Sequence, residues 1–153
     1  MACRLPAFTR FGTLLRFVHS RRHPLAAGAS SRGWRSLHYQ SAFSIIDLET
    51  KTVAATVPVG ARPYATAFAG GKAFITNQGS GSVSVIDLET LKGITTIKVG
   101  DYPEGIEATK DGRAVYVACW ADNMLVKIDV SSMSVAGQAS VGDGPRTFGT
   151  FLR

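Results

Sequence analysis

The chain has 153 residues, a formal net charge of +6 and two cysteines, with 45% hydrophobic and 18% charged residues. That length sets a prior of one domain, the apolar fraction argues against wholesale disorder, and no apolar run of about 18 residues exists to predict a membrane span. Cys3 and Cys119 do not make a disulfide framework.

Residues 1–40 form a basic head, expected to be disordered or weakly helical. The head holds seven arginines (Arg4, Arg10, Arg16, Arg21, Arg22, Arg32 and Arg35) and no acid. Residues 41–153 hold ten basic residues against 11 acidic ones, a net of −1. The basic character therefore belongs to the head, and the body carries no electrostatic signature of nucleic-acid binding. His19, His23 and His38 also lie in the head, and the body has no histidine. That argues against a histidine-ligated zinc site and a Ser-His-Asp triad in the body. The apolar stretches Phe11–Leu15 and Leu25–Ala29 are too short and interrupted for a signal-peptide core. Three readings of the head compete. One is a transit-type peptide, with Leu14, Leu15 and Val18 beside Arg10 and Arg16 on a small amphipathic helix. Another is a basic arm touching nucleic acid or an anionic surface, a salt-sensitive contact confined to residues 1–40. The third is sequence never selected to fold with the body, and the abrupt change of charge and periodicity near residue 40 favours it.

Internal repetition dominates the body. Phe43-Ser-Ile-Ile-Asp47-Leu-Glu-Thr50 returns as Val83-Ser-Val-Ile-Asp87-Leu-Glu-Thr90, and more weakly as Leu125-Val-Lys-Ile-Asp129-Val-Ser-Ser132, at offsets of 40 and 42. Val59-Gly60-Ala-Arg-Pro63 keeps step with Val99-Gly100-Asp-Tyr-Pro103 and Val141-Gly142-Asp-Gly-Pro145. Ala73-Phe-Ile-Thr-Asn77 is matched by Val115-Tyr-Val-Ala-Cys119. Each repeat reads as four short strands punctuated by Gly, Pro, Asp and Asn. In the middle repeat the predicted strands are Tyr64–Ala69, Lys72–Asn77, Ser82–Leu88 and Gly93–Val99, with Gly70-Gly71 as a hairpin turn. Four strands at this period predict a β-propeller blade. The fold class is therefore all-β, an incomplete propeller of four-stranded antiparallel blades. The segments are a partial blade over 41–60, blades over 61–100 and 101–142, and a final strand over 143–153.

The body resembles the YVTN-type β-propeller repeat of surface-layer-like and periplasmic propellers. Phe74-Ile-Thr-Asn77, Ser84-Val-Ile-Asp87 and the Val-Gly-x-x-Pro segments carry the resemblance. The ending Val141-Gly-Asp-Gly-Pro-Arg-Thr-Phe-Gly-Thr-Phe-Leu is similar to the way such propellers terminate. A closed ring of about seven blades needs on the order of 290 residues. The body is far shorter, and no segment reads as a polar end cap. A truncated propeller is the leading expectation, with assembly of several copies through open blade faces, or blades on another chain, as alternatives.

In a four-stranded meander, the connection entering the inner strand and the connection between strands two and three emerge on one side. The first type carries Arg62, Tyr64, Asp101, Tyr102, Glu104, Asp143 and Arg146; the second carries Asn77, Gln78, Trp120, Asp122 and Asn123. A ligand or partner site at the channel mouth would draw on Arg62, Tyr64, Asn77, Asp101, Glu104, Trp120, Asp122 and Arg146. Trp120 would be its stacking surface, and Glu104 and Arg146 its charged contacts. The competing reading is ordinary solvated loops. Asp47, Asp87 and Asp129 repeat because each bonds backbone N–H groups in a turn. Gly60, Gly100 and Gly142 read as turn residues, and Cys119 as a small buried hydrophobe. Gly70-Gly71-Lys72 lacks P-loop spacing.

No catalytic residue, metal ligand or cofactor is assigned. The expected function is a non-enzymatic binding or scaffold propeller, its partner an unknown protein or small-molecule ligand. The alternatives are a lactonase-like hydrolase using Glu104 and Arg146, and surface or nucleic-acid binding through the head. The resemblance implies an envelope or periplasmic setting.

Overall fold

The computed structural model of the chain describes residues 41–47, 50–147 and 152; the head and most of 148–153 lie outside the described residues. Strands β1 (Ser41–Asp47) and β2 (Thr52–Val59) pair as an antiparallel hairpin. Strands β3 (Pro63–Ala69), β4 (Lys72–Asn77), β5 (Ser82–Asp87) and β6 (Lys92–Lys98) form one four-stranded sheet in chain order. Strands β7 (Pro103–Ala108), β8 (Ala114–Cys119), β9 (Met124–Asp129) and β10 (Ser134–Ser140) form a second. The strands expected in the middle repeat agree with β3–β6 to within one residue at each end. The fold is thus two complete antiparallel blades and a two-stranded part of a third. The final strand expected over 143–153 does not form in its described part. No described strand pairs with Arg146 or Thr147, and residues 148–151 and 153, over which the rest of that strand would run, lie outside the described residues. No helix among the described residues is long and apolar enough to cross a membrane.

Alternation along each strand explains the stacking. On β4, Ala73 and Ile75 face the hairpin and join Phe43, Ile45, Val57 and Ile86 in one core. Phe74 points the other way, with Val83 and Val85, against Val115, Val117, Val126 and Ile128 of the following sheet. Phe74 is fully buried between the sheets, and burying such a side chain is worth about 1.5–3 kcal/mol. The middle sheet is therefore apolar on both faces and covered on both. The opposite face of the β7–β10 sheet differs. Register places Glu107, Tyr116 and Lys127 side by side there, where the preceding repeat has the buried Ala67, Phe74 and Val85. Lys127 is exposed. The polar character that no continuous segment displays is thus spread over single positions on three strands.

The outer strands carry a bulge at one repeated place. Register shifts between Ile45 and Ile46, between Val85 and Ile86, and between Val135 and Gly137 each leave one extra residue on the outer strand. Such bulges increase local twist. The turn between strands three and four also repeats. Asp87 Oδ1 accepts the N–H groups of Glu89 at 2.9 Å and Thr90 at 2.7 Å, and the Thr90 hydroxyl at 3.0 Å. Asp47 Oδ1 accepts Thr50 N–H at 2.9 Å, and Asp129 Oδ1 accepts Ser132 N–H at 2.8 Å. Four residues after each aspartate the chain turns left-handed, with φ of 58° at Lys51, 57° at Leu91 and 52° at Met133. None of these is glycine, so the aspartate bonds offset a local strain.

The Ser131 hydroxyl, with the amide and hydroxyl of Ser132, holds Asp129 at about 2, below the ordinary 3.8. A carboxyl depressed in the folded state stabilises fully above the unfolded pKa, and that stabilisation disappears as pH falls through the folded one. The Tm advantage of the native chain over Asp129→Asn should therefore shrink between about pH 5 and about pH 2, followed by circular dichroism. An advantage that does not change with pH would show that this turn does not depend on the charge.

Candidate functional site

The loops expected at a channel mouth are shaped by two backbone devices. The first is the residue before the repeated proline. Arg62, Tyr102 and Gly144 occupy equivalent positions and all turn left-handed, at φ 56°, 49° and 62°. The carbonyls of Arg62 and Tyr102 accept the N–H groups of Gln78 and Trp120, at 3.0 Å in each case. This pins the strand-entry loop to the loop between strands two and three. The second device is an inner-strand bulge just after the proline. Register jumps from Pro63 to Thr66 and from Pro103 to Ile106, so Tyr64-Ala65 and Glu104-Gly105 each oppose one residue. Thr76 Oγ1 accepts the Ala65 N–H at 2.9 Å and donates toward the carbonyls of Ala65 at 3.3 Å and Glu104 at 3.2 Å. One buried hydroxyl thereby satisfies a bulge in its own blade and fixes the backbone of the next.

Glu104 is 7% exposed. Its Oε1 accepts Gln78 Nε2 at 3.1 Å, and its Oε2 lies 3.6 Å from Arg146 Nε. The Arg146 guanidinium sits 4.8 Å from the centre of the Trp120 ring. Trp120 meets Tyr102 edge-on, with centroids 5.8 Å apart and planes at 76°. Arg62 lies 6.0 Å over the Tyr102 ring. The result is a continuous line of contacts drawn from three successive repeats, and its rings remain partly open to solvent: Tyr102 is 40% and Trp120 36% exposed. Cation–π contacts at such exposed sites contribute about 0.5–1 kcal/mol each.

Not every residue expected at the mouth joins that line. Asn77 is fully buried beneath it, with Nδ2 donating to Ser84 Oγ at 3.0 Å and Ser82 Oγ at 3.3 Å. Asp122 Oδ2 accepts the Asp101 N–H at 2.6 Å, so these two hold a loop together. Tyr64 is 41% exposed on β3. Conversely, Tyr102 and Gln78 complete the line. The signal that could have found them is repeat equivalence: Gln78 stands where Trp120 stands, and Tyr102 where Arg62 stands.

The three glycines of the Val-Gly-x-x-Pro segments do not share one reason. A Cβ at Gly60 would lie 2.7 Å from Asn77 Cγ, and Gly100 takes φ 149° with Cys119 Sγ 3.1 Å from where its Cβ would be. Gly142 has open space around it. Cys119 is buried, and burial first, then the Asp122 and Asp101 carboxylates, push its thiol up to about 12. Among the described residues, no group of three or more His, Cys, Asp or Glu side chains could share a metal ion.

Two outcomes follow. Arg146→Ala leaves the buried Glu104 carboxylate without its cation and should cost about 1–3 kcal/mol in urea unfolding. A neutral effect would mean the pair is not formed in solution. Cys119 should resist iodoacetamide in the native chain and react after unfolding, read by peptide mapping. Rapid native labelling would contradict its burial.

Residues 37–152 match the family model described as YNCE-like beta-propeller. No curated protein matches the chain. Among solved structures, the Kuenenia stuttgartiensis hydrazine synthase is 35% identical, with a TM-score of 0.65 over 69% of this chain and 31% of its own. The dihydro-heme d1 dehydrogenase NirN, solved in complex with DHE, is 18% identical, with a TM-score of 0.57 over 69% of this chain and 24% of its own. Apo AztD from Citrobacter koseri is 15% identical, with a TM-score of 0.58 over 71% and 31%. The last two likenesses concern the fold alone. The chain spans about a third or less of each of these structures.

Proposed function

The chain belongs to the YNCE-like β-propeller family, and on that premise we propose that it is a non-enzymatic binding or scaffold propeller whose mouth loops contact a ligand or partner. Its repeats are of the YVTN type, on the strength of Phe74-Ile-Thr-Asn77 and the Val-Gly-x-x-Pro segments. The observation that carries the reading is how the mouth uses its charges. Both Glu104 oxygens are engaged by groups from neighbouring repeats. The carboxylate that a lactonase-like mechanism would use to activate water is thereby committed to holding the loops. What remains outward is aromatic surface at Tyr102 and Trp120 flanked by Arg62, a surface suited to contact rather than to proton transfer. A periplasmic accessory role beside redox enzymes accords with the family resemblance and with the 35% identity to part of a hydrazine synthase.

The test separates binding from hydrolysis. Incubated with a panel of aliphatic γ-lactones, the chain should give no rate above buffer, and Glu104→Gln should behave identically. Saturable hydrolysis abolished by Glu104→Gln would establish the enzyme instead.

A further inference from the structure

Glu104, Gln78 and Trp120 together have the form of a receptor for a guanidinium group. Glu104 supplies a carboxylate that is 7% exposed. Gln78 Nε2 donates to its Oε1, and Oε2 is left facing Arg146 Nε at 3.6 Å. Trp120 supplies a ring whose centre lies 4.8 Å from the guanidinium carbon. That spacing lets a planar cation stack on the face of an indole. The loops at this end carry Glu104, Asp101, Asp122 and Asp143 against Arg62 and Arg146. Withdrawing Arg146 therefore leaves a local excess of negative charge that attracts a cation in its place.

Three features make Arg146 exchangeable. Its side chain is 54% exposed, so it can turn into water. The main-chain bonds of its segment fall on either side of it: Gly144 N–H donates to Asn123 Oδ1 at 2.8 Å, and Leu152 N–H to Glu107 Oε2 at 2.7 Å. The side chain can thus swing out without releasing the segment. The third feature comes from repeat equivalence. Thr76 Oγ1 donates to the carbonyl of Glu104 at 3.2 Å, and Arg146 follows its proline as Glu104 follows Pro103. Ala118 stands at the Thr76 position and has no hydroxyl. The tie that fixes Glu104 is not offered to Arg146.

We propose that the corner between Glu104 and Trp120 is a guanidinium-binding site, held in this chain by its own Arg146, and that an arginine side chain of a partner polypeptide exchanges with Arg146 there. The carboxylate gives charge and two acceptor positions, and the ring selects a flat cation over a compact ammonium. A free amino acid brings a carboxylate of its own into loops that are already net negative, so an arginine within a chain is the better occupant. The proposal rests on the reading of this end as a contact surface. Hydrolysis of γ-lactones would overturn that reading and leave the titration below as it stands; a failed titration removes the guanidinium site alone.

The experiment uses the full chain with Trp34→Phe, which leaves Trp120 as the reporting tryptophan, and with Arg146→Ala to vacate the site. Its emission is followed during titration with acetyl-Gly-Arg-Gly-amide at constant ionic strength. The controls are the lysine and citrulline peptides and free arginine. The arginine peptide should saturate, at least about fivefold more tightly than any of the three controls. Adding Glu104→Gln should abolish the saturable change. Restoring Arg146 should weaken the arginine peptide by at least about fivefold, because the resident side chain competes. Equal affinity for the arginine and citrulline peptides, binding that survives Glu104→Gln, or indifference to Arg146 would each overturn the proposal. Free arginine binding as tightly as the peptide would overturn the assignment to a partner chain. Where Arg146→Ala does not fold, Arg146→Lys takes its place, read by Tm: the arginine peptide should raise it and the citrulline peptide should not, and equal shifts would overturn the site.

Discussion

The structure depends on covering sheets that are apolar on both faces. A four-stranded sheet with one wet face would need strict alternation of polar and apolar residues. Strand β4 does not alternate in that way: Ala73, Phe74, Ile75, Thr76 and Asn77 are all buried. Such a sheet persists only between two neighbours, and the chain provides them in sequence, hairpin on one side and sheet on the other. Stacking of this kind brings the same corner of every repeat to one end of the molecule. The cluster of loops there is therefore a consequence of how the cores are covered and needs no separate fold of its own.

Within the mouth, backbone geometry precedes side-chain chemistry. The left-handed residue before the proline and the bulge after it are imposed by the repeat, and they decide which side chains meet. Glu104 turns inward toward Gln78 and Arg146 because it sits in the bulge, with Thr76 of the preceding blade bonded to its carbonyl. The network joins three repeats, so its members gain their positions from stacking and return some stiffness to it.

Much of the fold was legible in the chain. Repeat offsets, Gly and Pro punctuation and β-branched runs located β3–β6 almost to the residue, and the aspartate turns followed from Asp and Thr three residues apart. The site was legible only in part. Loop membership says which end of the sheet a residue occupies but not which way it points. Asn77, Asp101 and Asp122 share that end with Trp120 and Arg146, while burial and backbone bonds tie them to the scaffold. The inner-strand bulge defeats simple alternation, because two residues oppose one and the phase is lost at the position that matters. The polar face of the β7–β10 sheet was hidden for a different reason. Glu107, Tyr116 and Lys127 lie far apart in sequence and become neighbours only through register.

The left-handed position before the proline has a wider consequence. It carries arginine, tyrosine and glycine in three consecutive repeats while φ stays between 49° and 62°. At Arg62 and Tyr102 the hydrogen bond across the turn uses the carbonyl, which every residue owns. The turn itself thus does not depend on which side chain stands at this point, and that side chain's identity can drift or be selected independently in each blade. A molecule made of nearly identical units can in this way display a surface whose composition changes from unit to unit, with recognition rewritten one position at a time and the core left untouched.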